Sequence, residues 1–144
     1  MIAQTGFAYP ARFEKAAEGG YVVEFIDIPS CVTEGDTLEE AKAMAKEAIS
    51  AMLYSLDSRK KNIPDPSNKK GRGIYYIEPD LRIAFAITLK RERKRMGLSQ
   101  KEIARRLNVN WTFYQRIENP RRTNPTLGTI LKLQNVFNRQ FISL

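Results

Sequence analysis

The chain has 144 residues, 28% of them charged, a formal net charge of +8, one cysteine and no histidine. That composition excludes an internal disulfide, a Cys/His metal centre and histidine acid–base chemistry near neutral pH. No apolar run approaches the ~18 residues of a membrane span and no cationic start precedes an apolar stretch, so a soluble cytoplasmic chain with no membrane attachment is expected.

Charge divides the chain. Through Asp80 there are ten Lys or Arg against thirteen Asp or Glu, net −3, and from Leu81 onward fourteen against three, net +11. Cations gathered on one segment suit a polyanion, because each neutralised phosphate releases counterions and the gains accumulate. The acidic part must meet a different partner or none. Two small domains are expected: an acidic one over residues 1 to 60, a linker with a further short strand over 61 to 79, and a basic one over 80 to 144.

Phe7, Tyr9, Ala11 and Phe13 alternate with Ala8, Arg12 and Glu14, the period of two expected of a half-buried strand. Glu18-Gly19-Gly20 supplies a turn, after which Tyr21, Val23 and Phe25 alternate with Val22, Glu24 and Ile26, completing an antiparallel hairpin with one aromatic face. Asp27-Ile28-Pro29-Ser30 breaks it, and a third short strand covers residues 31 to 35, with Cys31 as a small apolar filler. Thr37 and Glu40 have the spacing of a capping box. They open a helix whose apolar positions Leu38, Ala41, Ala45, Ala48, Ile49, Met52, Leu53 and Leu56 form a stripe that covers the sheet. Residues 58 to 73 mix prolines, glycines and cations without an apolar period and read as an exposed loop or linker. Residues 74 to 77, bounded by Gly73 and Pro79, read as one more strand, either joining this sheet or pairing between subunits.

This order of elements, carried by Tyr9-Pro10-Ala11-Arg12-Phe13-Glu14, Gly19-Gly20-Tyr21-Val22-Val23, Phe25-Ile26-Asp27-Ile28-Pro29-Ser30-Cys31-Val32-Thr33 and Gly35-Asp36-Thr37-Leu38-Glu39-Glu40-Ala41, is similar to the HicB antitoxin family. The resemblance covers residues 5 to 57 and includes Ile63-Pro64 beyond the helix; Ser30 stands where that family usually has Gly, at a tight turn. It implies a partial ribonuclease-H-like domain without catalytic function that binds and masks a small basic RNA-cleaving toxin, HicA. Charge agrees with this: residues 1 to 57 carry four cations and ten anions, net −6, which attracts a cationic, RNA-seeking protein. Tyr21, Glu24, Phe25, Asp27, Glu34 and Asp36, on the hairpin and the loop after it, are the candidate toxin contacts, the alternative for each being a core aromatic or a solvated carboxylate.

Leu81, Ala84, Phe85, Thr88 and Leu89 mark one face of a helix that runs into Lys90-Arg91-Glu92-Arg93-Lys94-Arg95 and ends at Gly97. Ser99 and Glu102 repeat the capping-box spacing. A helix-turn-helix needs a small residue where two helices cross, a turn residue tolerant of positive φ, and apolar residues that fix the second helix; Ala104, Asn108 and Val109 meet these needs. Ile103, Leu107, Val109, Tyr114 and Ile117 form the expected buried side, leaving Trp111, Thr112, Gln115 and Arg116 outward as candidate base readers, with a core position as the alternative for Trp111. Arg can contact guanine bidentately, Gln adenine, and the Thr methyl can pack on thymine. Gln100 suits a phosphate. Asn124-Pro125-Thr126 opens a last helix with the apolar face Leu127, Ile130, Leu131, Leu133 and Val136.

Leu98-Ser99-Gln100, Ile103-Ala104 and Ile117-Glu118-Asn119 resemble the Cro/repressor type of helix-turn-helix, with Asn108 in place of the usual Gly and bulky Trp111 at a base-reading position. That resemblance implies a dimer on a two-fold symmetric operator, residues 110 to 118 in the major groove, and Arg121 and Arg122 near the backbone.

The expected fold class is therefore α+β: a partial ribonuclease-H-like domain of three antiparallel strands plus a helix, with room for a fourth strand, then an all-α helix-turn-helix domain. The expected function is an antitoxin that neutralises a HicA-like mRNA-cleaving toxin and, as a homodimer or higher even oligomer on double-stranded operator DNA, represses its own operon. The alternative is a transcriptional regulator whose N-terminal domain senses a ligand or dimerises. Enzyme readings fare worse, and no cofactor or metal is expected. No Ser or Cys has a base partner, the carboxylates Asp27, Glu34 and Asp36 match no metal motif, and Gly19-Gly20 and Gly71-Arg72-Gly73 are turn glycines rather than phosphate loops.

Overall fold

The computed structural model describes residues 5 to 143, and the chain divides into two compact units, one of Phe7–Asp80 and the other of the chain from Leu81 onward together with Thr5 and Gly6. The first unit is a sheet with one helix and the second is helical, an α+β chain as the sequence pattern predicts.

In the first unit, β1 (Tyr9–Lys15), β2 (Tyr21–Phe25), β3 (Val32–Gly35) and β4 (Ile74–Ile77) form one antiparallel sheet in the order β3-β2-β1-β4, and α1 (Leu38–Ser58) lies between β3 and β4 in the chain. The alternation read from the sequence sets the register. Ala11 pairs with Phe25 and Phe13 with Val23, so one face of the hairpin gathers buried side chains, while the exposed Arg12 faces the exposed Glu24 on the other. Residues 74 to 77 pair with β1, Tyr9 opposite Ile77, so the fourth strand belongs to this sheet.

The buried stripe of α1 is Ala41, Ala45, Ile49 and Leu53, and its N-cap Thr37 accepts a hydrogen bond from the Glu40 amide at 3.1 Å. The Glu40 carboxylate reaches one residue further than a capping box requires, accepting from the Asp36 amide at 3.2 Å. Close approach of β3 to this first turn depends on Gly35. A Cβ there would lie 2.5 Å from the Ala41 nitrogen and 2.7 Å from its Cα. Ser30 needs no glycine: the turn closes by the Cys31 amide donating to the Ile28 carbonyl at 2.8 Å, and Ser30 is not among the residues with positive φ. Cys31 is buried, and burial pushes its thiol up to about 11.

The segment between α1 and β4 differs from a free linker. Tyr9 Oη donates to the Pro64 carbonyl at 2.6 Å and the Ser67 amide donates to Asp27 Oδ2 at 2.9 Å, so the loop is tied back to the sheet unit.

The second unit consists of α2 (Leu81–Arg95), α3 (Gln100–Leu107), α4 (Trp111–Ile117) and α5 (Leu127–Phe137). Its core gathers Phe85, Leu89, Ile103, Ala104, Leu107, Tyr114, Ile117, Leu133, Phe137 and Phe141. Two expectations need correction. The stretch Ala84 to Leu89 of α2 is buried on all sides, Ala86 and Ile87 included, rather than along one face. In α5 the inward positions are Leu133 and Phe137, about one turn apart, with Ile130 and Val136 at the margin; Leu127 and Leu131 face away from that stripe and are 68% and 52% exposed.

Candidate nucleic-acid interface

Local signals build the helix-turn-helix in sequence order. The Ser99 side chain accepts from the Glu102 amide and the Glu102 carboxylate from the Ser99 amide, both at 3.1 Å, a complete capping box at the head of α3. These hydrogen bonds from Ser99 hold the Glu102 carboxyl below the usual range, with Arg105 and Arg106 adding to the effect. At the other end Asn108 takes the left-handed conformation, φ 57° and ψ 46°, and the Val109 amide closes onto the Ala104 carbonyl at 3.0 Å. Asn tolerates this region better than most side chains, so the turn forms without glycine. Asn110 then caps α4, its Oδ1 accepting from the Phe113 amide at 2.7 Å.

The crossing of α3 and α4 is locked from inside. Ile103, Ala104, Leu107, Tyr114 and Ile117 are buried and Val109 is half-buried beside them. A buried ion pair joins the first helix of the unit to the end of α4: Arg93 donates to both Glu118 oxygens, at 2.6 and 3.1 Å, and to the Leu98 carbonyl at 2.9 Å. The pair is bidentate, the geometry that best offsets the cost of burying two charges. Burial, and after it the Glu118 charge, raises the Tyr114 phenol far above its ordinary value, so that ring stays neutral in the core.

The polar chain continues to the surface. Gln100 Nε2 donates to Glu118 Oε1 at 3.1 Å, and Trp111 Nε1 donates to Gln100 Oε1 at 3.2 Å. The sequence assigned Gln100 to a phosphate, but in the free chain both ends of its amide are bonded within the unit, because its side chain is half-buried beside the Glu118 carboxylate. Trp111 is 43% exposed and carries Lys101 Nζ 4.7 Å from its ring centroid, so it offers a ring surface outward while its N–H donor faces Gln100.

Trp111, Thr112, Gln115 and Arg116 are all exposed, at positions i, i+1, i+4 and i+5 that share one side of α4. Arg121 and Arg122 are exposed just beyond it, where the Asn119 side chain accepts from the Arg121 amide at 2.9 Å and the Asn119 carbonyl from the Arg122 amide at 3.0 Å. Sequence reasoning passed over Phe113, 37% exposed at the head of α4, and the exposed cations Lys101, Arg105 and Arg106 of α3. For the cations, the signal was available in the outward positions of α3.

On the sheet unit the predicted contacts separate. Glu24, Glu34 and Asp36 are exposed and Tyr21 is half-exposed. Phe25 is fully buried, because it shares the inward parity of Val23 in β2, and cannot touch a partner. Asp27 is half-buried and its carboxylate holds the Ser67 amide, a structural task. Among the described residues, Asp27, Glu34 and Asp36 are not gathered into a group that could hold a metal ion, and no helix is long and apolar enough to cross a membrane.

Comparison with known proteins places both units. Residues 8–78 match a family described as "HicB_like antitoxin of bacterial toxin-antitoxin system", and residues 89–143 match a family described as "Helix-turn-helix". The chain is 35% identical over 101 residues to "Antitoxin HicB" of Escherichia coli, covering 69% of this chain and 71% of that protein. It is 32% identical over 134 residues to "Antitoxin HicB 1" of Photorhabdus laumondii subsp. laumondii, covering 92% of this chain and 83% of that one. A solved structure described as "HicA3 and HicB3 toxin-antitoxin complex" aligns with a TM-score of 0.43 at 24% identity, over 51% of this chain and 98% of that chain. With identity above three in ten spanning most of both partners, and a helix-turn-helix at its basic end, this chain belongs to the HicB-like antitoxin family.

Proposed function

We propose that this protein is an antitoxin that binds and neutralises a cognate HicA-like, mRNA-cleaving toxin through its sheet unit and represses its own operon through its helix-turn-helix, as a homodimer or higher even oligomer in the cytoplasm, without catalysis of its own. The observation that carries the DNA half is the exposed quartet Trp111, Thr112, Gln115 and Arg116 on a capped, internally braced helix within a segment of net charge +11. In this reading Thr112, Gln115 and Arg116 read base edges, Trp111 packs its ring against the groove wall while Gln100 holds it in place, and Arg121 and Arg122 contact phosphates. The toxin half rests on family membership and on the net −6 of residues 1 to 57, with Tyr21, Glu24, Glu34 and Asp36 as the contacts that burial leaves available. Acidic side chains there occupy the surface that a cationic toxin would otherwise offer to RNA.

The test uses the full chain. Mixed with the toxin encoded beside it, the chain should form a stoichiometric complex that stops RNA cleavage; titrated into a labelled promoter fragment, it should bind well above an excess of non-specific polyanion. A chain that retards the promoter but neither captures nor silences the toxin would be a plain regulator. A chain that cleaves nucleic acid by itself in the presence of a divalent metal would be neither.

A further inference from the structure

One charged feature fits neither of these surfaces. Residues 58 to 73 hold six cations and one anion, net +5, in a unit whose first 57 residues are net −6. Three of the cations have a local explanation. Arg59, Lys60 and Lys61 end α1, with Lys60 at φ 55° and their amides closing onto the Ser55, Asp57 and Leu56 carbonyls, and cations at a helix C-terminus complement its dipole. Lys69, Lys70 and Arg72 sit at no helix end. All three are exposed, and none forms an ion pair among the described residues although the unit is rich in carboxylates.

The backbone beneath them is anchored on both sides. Tyr76 Oη donates to the Lys69 carbonyl at 2.7 Å and lies 3.2 Å from the Ser67 carbonyl, while the Ser67 amide is held by Asp27. On the far side the Ile74 amide donates to the Gly71 carbonyl at 3.2 Å and the Phe13 amide to the Gly73 carbonyl at 2.7 Å. Positive φ at Gly73, 78°, lets the chain turn sharply into β4. Three unpaired cations within four residues of a fixed turn have little backbone freedom left to lose on meeting a polyanion.

We propose that Lys69, Lys70 and Arg72 form a second phosphate-binding patch, which contacts the sugar–phosphate backbone of duplex DNA flanking the sequence read by α4. The proposal rests on the DNA-binding reading above. Eight residues of chain separate Arg72 from Leu81, and nine residue-to-residue steps at ~3.3 Å each keep the turn within about 30 Å of the start of α2, roughly nine base pairs along a duplex. Backbone contacts carry no sequence information, so the patch lengthens the footprint and raises affinity without altering which operator is chosen.

The experiment measures binding of the full chain to an operator duplex carrying roughly ten extra base pairs on each side, across a salt series. Replacing all three residues by Ala should make the slope of log affinity on log salt shallower by up to about 2.7, at ~0.9 per phosphate contact, so that the affinity lost between roughly 50 and 200 mM salt shrinks by up to about 40-fold. The ranking of operator variants should not change. Lys46→Ala, which removes an exposed cation of α1, should leave the slope as it is, and the charge-preserving set Lys69→Arg, Lys70→Arg and Arg72→Lys should keep the wild-type slope. Trimming the duplex to the bare operator should bring the wild-type slope down to that of the triple alanine chain. Parallel slopes on the flanked duplex would overturn the proposal, as would a weakening confined to single-stranded RNA. If the wild type itself shows no preference for duplex operator, the DNA-binding reading fails and this proposal with it.

Discussion

The helical unit is braced by charge and the sheet unit by close apolar contact. In the former, Arg93 and Glu118 are paired in the core and their hydrogen bonds run through Gln100 to Trp111 on α4, so the placement of that helix depends on polar geometry. In the latter, Tyr9, Val23 and Phe25 of the sheet and Ala41, Ala45 and Ile49 of α1 are fully buried, and the approach of β3 to α1 depends on the missing Cβ of Gly35. The difference has a physical sense. A buried ion pair has an exacting geometry and so specifies an arrangement, whereas small residues on a helix over a sheet tolerate no added volume but make few directional demands.

Glu118→Ala strikes that contrast hardest. It leaves the Arg93 guanidinium buried without its carboxylate, and ~3 to 5 kcal/mol of stability should be lost, read as a lower denaturant midpoint together with failure to bind the operator. An unfolding curve superimposable on wild type would show that the pair does not brace the unit. Gly35→Ala is its counterpart in the sheet unit: the added methyl meets the Ala41 backbone and should cost roughly 1 to 3 kcal/mol, with toxin capture weakened and operator affinity kept. Equal loss of both activities would mean that the units do not fail separately. Arg116→Ala should remove ~1 to 3 kcal/mol of operator binding and relax discrimination at one base pair, while Arg121→Ala should weaken all sequences alike and flatten the salt slope by about 1. Identical isotherms for both variants and wild type at every salt would displace these residues from the interface.

Ser99→Ala removes the N-cap acceptor of α3 and should cost about 1 kcal/mol by thermal denaturation. It also bears on pH. The Glu102 carboxyl is held low in the fold by its hydrogen bonds to Ser99, so its contribution is fully present above the unfolded value and disappears as pH falls through the lower folded one. Wild type should therefore lose stability on acidification more steeply than Glu102→Gln, and parallel acid limbs for those two chains would count against the capping box. The smallest effect is expected at Cys31. With its thiol pushed up to about 11, alkylation at neutral pH should proceed no faster than the sheet unit opens, and rapid modification of the native chain would place the residue outside the core.

Much of this was readable from residue order, wherever a single period decides the outcome. Alternation placed Ala11, Phe13 and Val23 inward, and Thr37, Ser99 and Thr126 marked helix starts. Phe25 was misassigned against that same alternation: it shares the parity of Val23 and had to be core. What local pattern could not supply were contacts between residues far apart in the chain. Nothing near Asp27 announces Ser67, 40 residues on, and nothing near Gln100 announces Glu118. The partner of β4 was likewise undecidable from its own four residues, since an edge strand is chosen by the edge it meets. Leu127 and Leu131 were misplaced because a helix with apolar residues around much of its circumference has no unique inward face until a neighbour selects one.

The indole of Trp111 has an optical consequence. It is the one tryptophan of the chain, it stands at the head of α4, and its N–H is hydrogen-bonded while its ring remains in contact with water. Fluorescence excited in this ring therefore originates from a single known point on α4, and a change in its emission on addition of operator would report an event at that helix with no dye attached.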